Sequence, residues 1–472
     1  MAAYSSSQRH NKIAKLNAIS MRAAGVPVRT MDALHAMGIT MSYSWTCDCI
    51  NSLTDAERGA FQATMQQIPE VPHTCLFRWD NFNFGSKVFE YRILHQKHFR
   101  SGTAITAQIL PPAARVLANR ATLMEGRKKG ASTRFDVHKA LFDEARQDST
   151  DAFYRHHVLS ILLEHPDMEG YKYRADPTLA SPPPVQQLEG GAEAVRRTFM
   201  LGAYPIDEAT LAGNAEVIQK IMDLAGLSEG EPLKWFAESG VMLVGGDLLT
   251  IDRFLSLYML RADDINGAER LDAFLPTFGW LHAMFALVES MHTQYKGTAA
   301  GLGINHAAVV LKRKKLANLD KRGPWYRIVE AGLLDMLEAH IIGAYLVVGD
   351  ASSIVELKKL SPGELKVLAD EVYKRFASTT ALRMKDGADE VLKASIMFIR
   401  DTLVLRELVT AIRVGDVGRM HNLIPTLLAR FHGGANKNYA NHFFELVQCL
   451  SVDWDADICD LVMKYGWLLT TD

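Results

Sequence analysis

Val241-Met242-Leu243-Val244-Gly245-Gly246-Asp247 is the stretch on which the fold class turns. Four apolar residues in a row, closed by two glycines, have the pattern of a short strand buried on both faces, and here the strand delivers a carboxylate at its exit. Glu216 to Leu224 upstream is amphipathic at helical spacing. Beyond Asp252 almost everything repeats with a helical period: Trp280 to Gln294, Tyr326 to Val348, Pro362 to Phe376, Asp389 to Ile412, Gly418 to Arg430 and Tyr439 to Leu450.

A second acid-ending run lies upstream. Thr74-Cys75-Leu76-Phe77-Arg78-Trp79 reads as a strand that ends in a turn at Asp80-Asn81-Phe82-Asn83-Phe84-Gly85. Lys87 to Leu94 alternates apolar with polar, and Thr103 to Leu110 is a third β-prone run, stopped by Pro111-Pro112. Residues 113–234 read as mostly helical, interrupted by Ser181-Pro182-Pro183-Pro184, which marks a linker. Residues 8–66 read as helices with a Gly38-Ile39-Thr40 turn. A helix-turn-helix is disfavoured there, because the segment Ser42 to Cys49 has no Lys or Arg to meet phosphate.

Asp80 and Asp247 are therefore the informative pair. Carboxylates at the ends of adjacent strands can share Mg²⁺ or Mn²⁺ and position a water or hydroxyl for attack on phosphate. The order acid-ending strand, strand, strand, helix, acid-ending strand is that of ribonuclease-H-like nucleases and transposases, in which a third carboxylate lies on a late helix. The same two residues also read as turn caps, since Asp at a strand exit commonly bonds its own backbone. The expected fold is thus a mostly helical α/β chain with a ribonuclease-H-like mixed sheet split by helical insertions. Its segments are a helical start over 1–70, three strands over 71–112, a helical insertion over 113–235, the rest of the core over 236–295, an all-helical insertion over 296–436 and closing helices over 437–472.

Composition limits the function. With 472 residues, 48% of them hydrophobic, the chain can bury a sizeable core and is expected to form two or three structural units. A formal net charge of -2 argues against a surface that is basic throughout, so any DNA contact has to be local. Lys312-Arg313-Lys314-Lys315 with Lys321-Arg322 is the densest basic run and Arg127-Lys128-Lys129 a lesser one; both also read as solvated helix faces. The N-terminus lacks the apolar core of a secretory signal, and Ile341 to Val348 is far short of the ~20 residues that cross a bilayer. No membrane contact is expected, and the location is nuclear or cytoplasmic. Five scattered cysteines, including Cys47-Asp48-Cys49, read as reduced thiols. Gly226-Leu227-Ser228-Glu229-Gly230 matches a nucleophile elbow in letters alone, because a helix precedes it where the elbow needs a strand. Gly226 instead reads as a helix C-cap, with Ser228 and Glu231 as a capping box.

Asp80-Asn81-Phe82-Asn83, Ile206 to Asn214, Gly246-Asp247-Leu248-Leu249-Thr250-Ile251-Asp252-Arg253, Gly279-Trp280-Leu281-His282 and Tyr439-Ala440-Asn441-His442 occur in that order. In this respect the chain resembles a fungal family, with animal relatives, catalogued as domain of unknown function 6589, over about Met31 to the C-terminus. The likeness extends to Mutator-like transposases, in which the second Asp is followed by a strand and a His that opens a helix, as Leu275 to His282 does here. On that analogy the Tyr439 helix carries the third acid. The expected position holds His442, with Glu445 one turn on, and Glu338 is a further candidate. Losing a carboxylate weakens binding of hard cations, which prefer oxygen. The resemblance therefore implies either a transposase-derived, metal-dependent phosphoryl transfer on DNA or a catalytically inactive relic that serves as a binding module.

Overall fold

A computed structural model describes residues 11–68, 70–85, 99–191, 195–298, 301–317, 319, 325–383, 389–434 and 436–467. Five strands form one mixed sheet: β1 (Cys75–Gly85), β2 (Phe99–Ile109), β3 (Thr198–Tyr204), β4 (Met242–Gly246) and β5 (Phe274–Phe278), in the spatial order β3-β2-β1-β4-β5. β1 and β2 are antiparallel, as are β2 and β3. Two compact units account for the chain. The first comprises Met1–Arg115, Arg196–Val244 and Asp252–Leu275, and the second Val116–Val195, Gly245–Ile251 and Pro276–Asp472.

Two strand expectations change. β1 does not stop at Trp79: it runs on through Asp80 to Gly85, so Asp80 pairs with Ala104 inside a ladder instead of ending a strand. The turn-forming residues are held extended by β2. Phe82 lies over its cross-strand partner Gly102, where a Cβ would collide with the ring, and the Ser101 hydroxyl donates to Asn83 Oδ1 at 2.5 Å. Among the described residues, the third strand in chain order is Thr198–Tyr204, inside a segment read from sequence as helical. The helical insertion thus follows β2, and residues 196–244 group with the sheet, not with the helices before them. The strand expected over Lys87 to Leu94 lies outside the described residues.

β3 is hard to read because it is bulged. The register slips between Ile105 and Thr106 of β2, which leaves Leu201 without an opposite residue. Arg58, on the Tyr43–Met65 helix, fills the gap by donating from Nε to Leu201 O at 2.7 Å. Its guanidinium occupies the space a side chain at Gly202 would need, and Gly202 has φ +107. A bulge requires such a glycine and a donor for the spare carbonyl.

The sheet face that presents Phe77 and Trp79 is covered from two helices. Phe61 of Tyr43–Met65 packs against Phe77 and Phe199 at 6.1 and 5.3 Å, and Phe254 of Leu248–Leu260 packs against Trp79 and Phe274 at 6.5 and 5.6 Å. The N-terminal helices Lys12–Ala23 and Val28–Ala36 form a small cluster of their own from Ala14, Ala18, Met31 and Met41. Gly226, at φ +67, closes the Leu211–Ala225 helix as expected. Ser228 does not cap the next helix; its hydroxyl donates to Asp223 Oδ1 at 2.5 Å, because Glu229 holds the N-cap position of Gly230–Glu238.

The second unit is built on five long helices, Glu144–Glu164, Trp325–Val348, Pro362–Phe376, Glu390–Val414 and Val417–Gly433. Trp325–Val348 has 24 residues and is long and apolar enough to cross a membrane by length and composition, which corrects the shorter stretch counted from sequence. Here one side of it is buried through Val329, Leu333, Leu337, Ile341 and Tyr345, and the Tyr345 hydroxyl donates to Val158 O at 3.2 Å. The Pro182–Pro184 linker is pinned where its donors resume: the Val185 and Gln186 amides donate to Asp416 at 3.0 and 2.9 Å.

The interior of this unit also holds charge. Glu407 accepts two bonds from Arg419, at 2.7 and 2.6 Å, and contacts His157 Nε2 at 2.6 Å, all three side chains being buried. Arg419 also stacks 4.0 Å over the Phe153 ring. Burial alone raises the Glu407 pKa, but the hydrogen bonds from Arg419 and His157 outweigh it and leave the carboxyl below its ordinary range. His157, buried, is shifted down. A second cluster joins Tyr295, Asp401 and Arg430 at 2.5 Å each.

Candidate functional site

Within the second unit, the exits of β4 and β5 meet through backbone: Gly279 N donates to Gly246 O at 2.9 Å. At Gly246 a Cβ would press on Thr250, whereas at Gly279 it would lie in ordinary contact with Gly246 O at 3.4 Å. Asp247 follows at once and opens the Leu248–Leu260 helix. Its Oδ1 accepts from Thr250 N at 2.7 Å and its carbonyl from Ile251 N at 3.1 Å, the bonding of a helix N-cap. One carboxylate oxygen remains for other chemistry.

Tyr439, on the Lys437–Gln448 helix, is the neighbour that sequence reasoning did not assign a role. Burial, and then the negative charge of Asp247, push its phenol well above the ordinary tyrosine value, so it stays protonated. It also packs against Phe431 at 5.3 Å. The only sequence signal was its place in the last motif. The helix is anchored one turn later by Phe443, which touches Phe278, Phe431 and Trp280, while Trp280 also packs on Trp467 at 5.0 Å. His282, one turn into the Trp280–Tyr295 helix, lies edge-on to Phe285 at 5.5 Å.

The candidates for the third position each meet a neighbouring charged side chain. His442 is buried at 8%, with its Nδ1 4.0 Å from Glu445 Oε2. Glu445 is shifted up by burial and then by Asp453, which favours its protonated form. Glu338 is held in an ion pair with Arg406 at 3.3 Å, and Arg406 also binds Glu164 at 3.0 Å. Among the described residues, no group of three or more His, Cys, Asp or Glu is placed to hold a metal ion. Mg²⁺ and Mn²⁺ take oxygen donors, in part from water and substrate, around one or two carboxylates.

In the first unit, Asp80 is exposed on β1, and Asn83 Nδ2 reaches Asn81 Oδ1 at 3.5 Å. The other motif residues there build structure. Trp79 Nε1 donates to Asn214 Oδ1 at 3.3 Å, and the Asn214 amide donates onward to Glu208 O and Thr210 O. The Thr103 hydroxyl donates to Ile206 O at 2.8 Å, and Arg253 Nε to Ala209 O at 3.0 Å. The Ile206 to Asn214 stretch is thus a turn tied at three points to its neighbours, with Thr210 capping the following helix at Gly213 N. Of the basic run, Arg313 pairs with Asp335, Lys312 adopts φ +55, and Lys312 and Lys315 are exposed. Lys321 and Arg322 lie outside the described residues.

Residues 132–472 match a family described as a family of unknown function (DUF6589). The chain belongs to that family. The match includes the motifs from Ile206 onward, with Asp247, His282, Tyr439 and His442, and begins after β1 and β2, so Asp80 to Asn83 lie outside it. No curated protein and no solved structure matches the chain.

Proposed function

We propose that the chain is a transposase-derived domain of ribonuclease-H-like architecture that has lost metal-dependent phosphoryl transfer and serves as a DNA-binding module. The strand order β3-β2-β1-β4-β5, with an antiparallel β1-β2-β3 set, supports the architectural part. The observation that carries the loss of chemistry is His442, buried at 8%, at the position where the resemblance expects an acid. The other two candidates agree: Glu445 is shifted towards protonation, and Glu338 is tied to Arg406. Among the described residues, Lys312 and Lys315 are exposed cations of the dense run that could meet phosphate. DNA binding of this kind weakens steeply with salt.

The second reading is a working phosphoryl transferase, favoured by the exit of Asp247 straight from β4 with one oxygen uncommitted. Incubation with supercoiled plasmid in millimolar Mg²⁺ or Mn²⁺ separates the two. The proposal predicts retarded but intact plasmid. Nicking that disappears in both Asp80→Ala and Asp247→Ala would establish the second reading instead.

A further inference from the structure

An open cavity of about 360 Å³ in the second unit is lined by Lys374, Arg375, Phe376, Thr380 and Arg383, together with Ala381 and Leu392. It lies away from Asp247 in sequence and does not depend on the function proposed above. Local geometry builds it. The Pro362–Phe376 helix ends at Ala377, and Ser378 reverses the chain by donating from its hydroxyl to Lys374 O at 2.8 Å while accepting from Ala381 N at 3.1 Å. The short Thr379–Leu382 helix then delivers Arg383 to the same cavity as Lys374 and Arg375.

Cations in the last turn of a helix are favoured by its dipole, which accounts for Lys374 and Arg375. Arg383 is on another element, and the dipole does not bring it to them. Among the described residues none of the three is engaged in an ion pair, although the unit spends carboxylates freely elsewhere. Three like charges around one cavity repel one another until an anion enters. Guanidinium forks match phosphate oxygens bidentately, and the Thr380 hydroxyl adds a neutral donor. Phe376 and Leu392 give the cavity an apolar wall, and the volume falls in the range of about 300–1,000 Å³ that holds small ligands.

We propose that this cavity binds a phosphoryl group carried on a flat, apolar body, either a free phosphate monoester or the 5′-phosphate end of a nucleic-acid strand. Titration calorimetry on the full chain tests it, with phenyl phosphate, phenol and a 5′-phosphorylated single-stranded oligonucleotide as probes. Saturable binding of phenyl phosphate but not phenol, weakened by salt and reduced about tenfold or more in Arg383→Gln and in Lys374→Gln/Arg375→Gln, would support a free monoester. Binding of the phosphorylated oligonucleotide alone, lost in the same variants, would support a strand terminus. These residues are exposed, so circular dichroism is expected to show unchanged folding, and Lys128→Gln/Lys129→Gln serves as a charge-matched control. Absence of binding by either phosphorylated probe at millimolar concentration, or equal binding by all variants, would overturn the proposal.

Discussion

Asp247 and Glu407 are carboxylates that the second unit treats in opposite ways. Asp247 stands at a strand exit, partly open, and spends one oxygen on the amide of its own helix. Glu407 is buried in mid-helix, 12 residues before the arginine that neutralises it and 250 after the histidine that completes the cluster. The one that looks catalytic from sequence makes a local structural bond, and the one that looked like an ordinary helix residue carries the interior charge. An acid's position at the end of a strand is therefore a weak guide to its chemistry, because turn capping and metal binding ask for the same residue at the same place.

The largest effect that can break this contrast is expected at Arg419. Arg419→Ala leaves Glu407 buried without its partner, which costs about 3–5 kcal/mol; denaturant unfolding should show it. A loss under 1 kcal/mol would mean that water reaches the cluster. Acidification should act in the same direction. Burial, aided by the neighbouring cations, lowers His156 and His421 to about 4. An unfolded histidine takes its proton near pH 6.5 whereas these do so only near 4, so stability present above pH 6.5 is lost as pH falls through that window. Glu407, also shifted down, extends the loss below the ordinary carboxylate value. A transition temperature that is flat from pH 7 to pH 4 would contradict these assignments.

Asn214→Ala comes next. It removes the acceptor of Trp79 and two bonds that shape the Ile206 to Asn214 turn, for about 1–3 kcal/mol. The smallest effect is expected at Asp247. Asp247→Ala loses an N-cap, about 1 kcal/mol, while Asp247→Asn keeps a capping oxygen and should be near neutral. If Asp247→Asn instead abolishes a metal-dependent activity at unchanged stability, Asp247 is a ligand as well as a cap.

Much of this fold could be read from the chain, and the exceptions have physical causes. The late helices and β4 were legible because an apolar period or a compact apolar run needs no partner to be recognised. β3 was not, since its bulge at Leu201 breaks the alternation and its stability comes from Arg58, 143 residues away. β1 was cut short because Asp80, Asn81 and Asn83 are turn formers by local preference, and only pairing with β2 overrides them. At the site, Gly246 and Asp247 were legible as a strand exit, and Gly279 only as part of the motif that ends in His282. Tyr439 was not assigned to Asp247, because nothing in its own segment points to a carboxylate 192 residues earlier, and the Glu407 cluster joins three helices that share no motif.

Titration of the full chain with Mn²⁺, followed by calorimetry, is the sharpest test of whether Asp247 holds a metal. No saturable binding is expected at millimolar Mn²⁺, in the wild type and in Asp247→Asn alike. Stoichiometric binding by the wild type that is lost in Asp247→Asn would contradict it and restore the metal-dependent site.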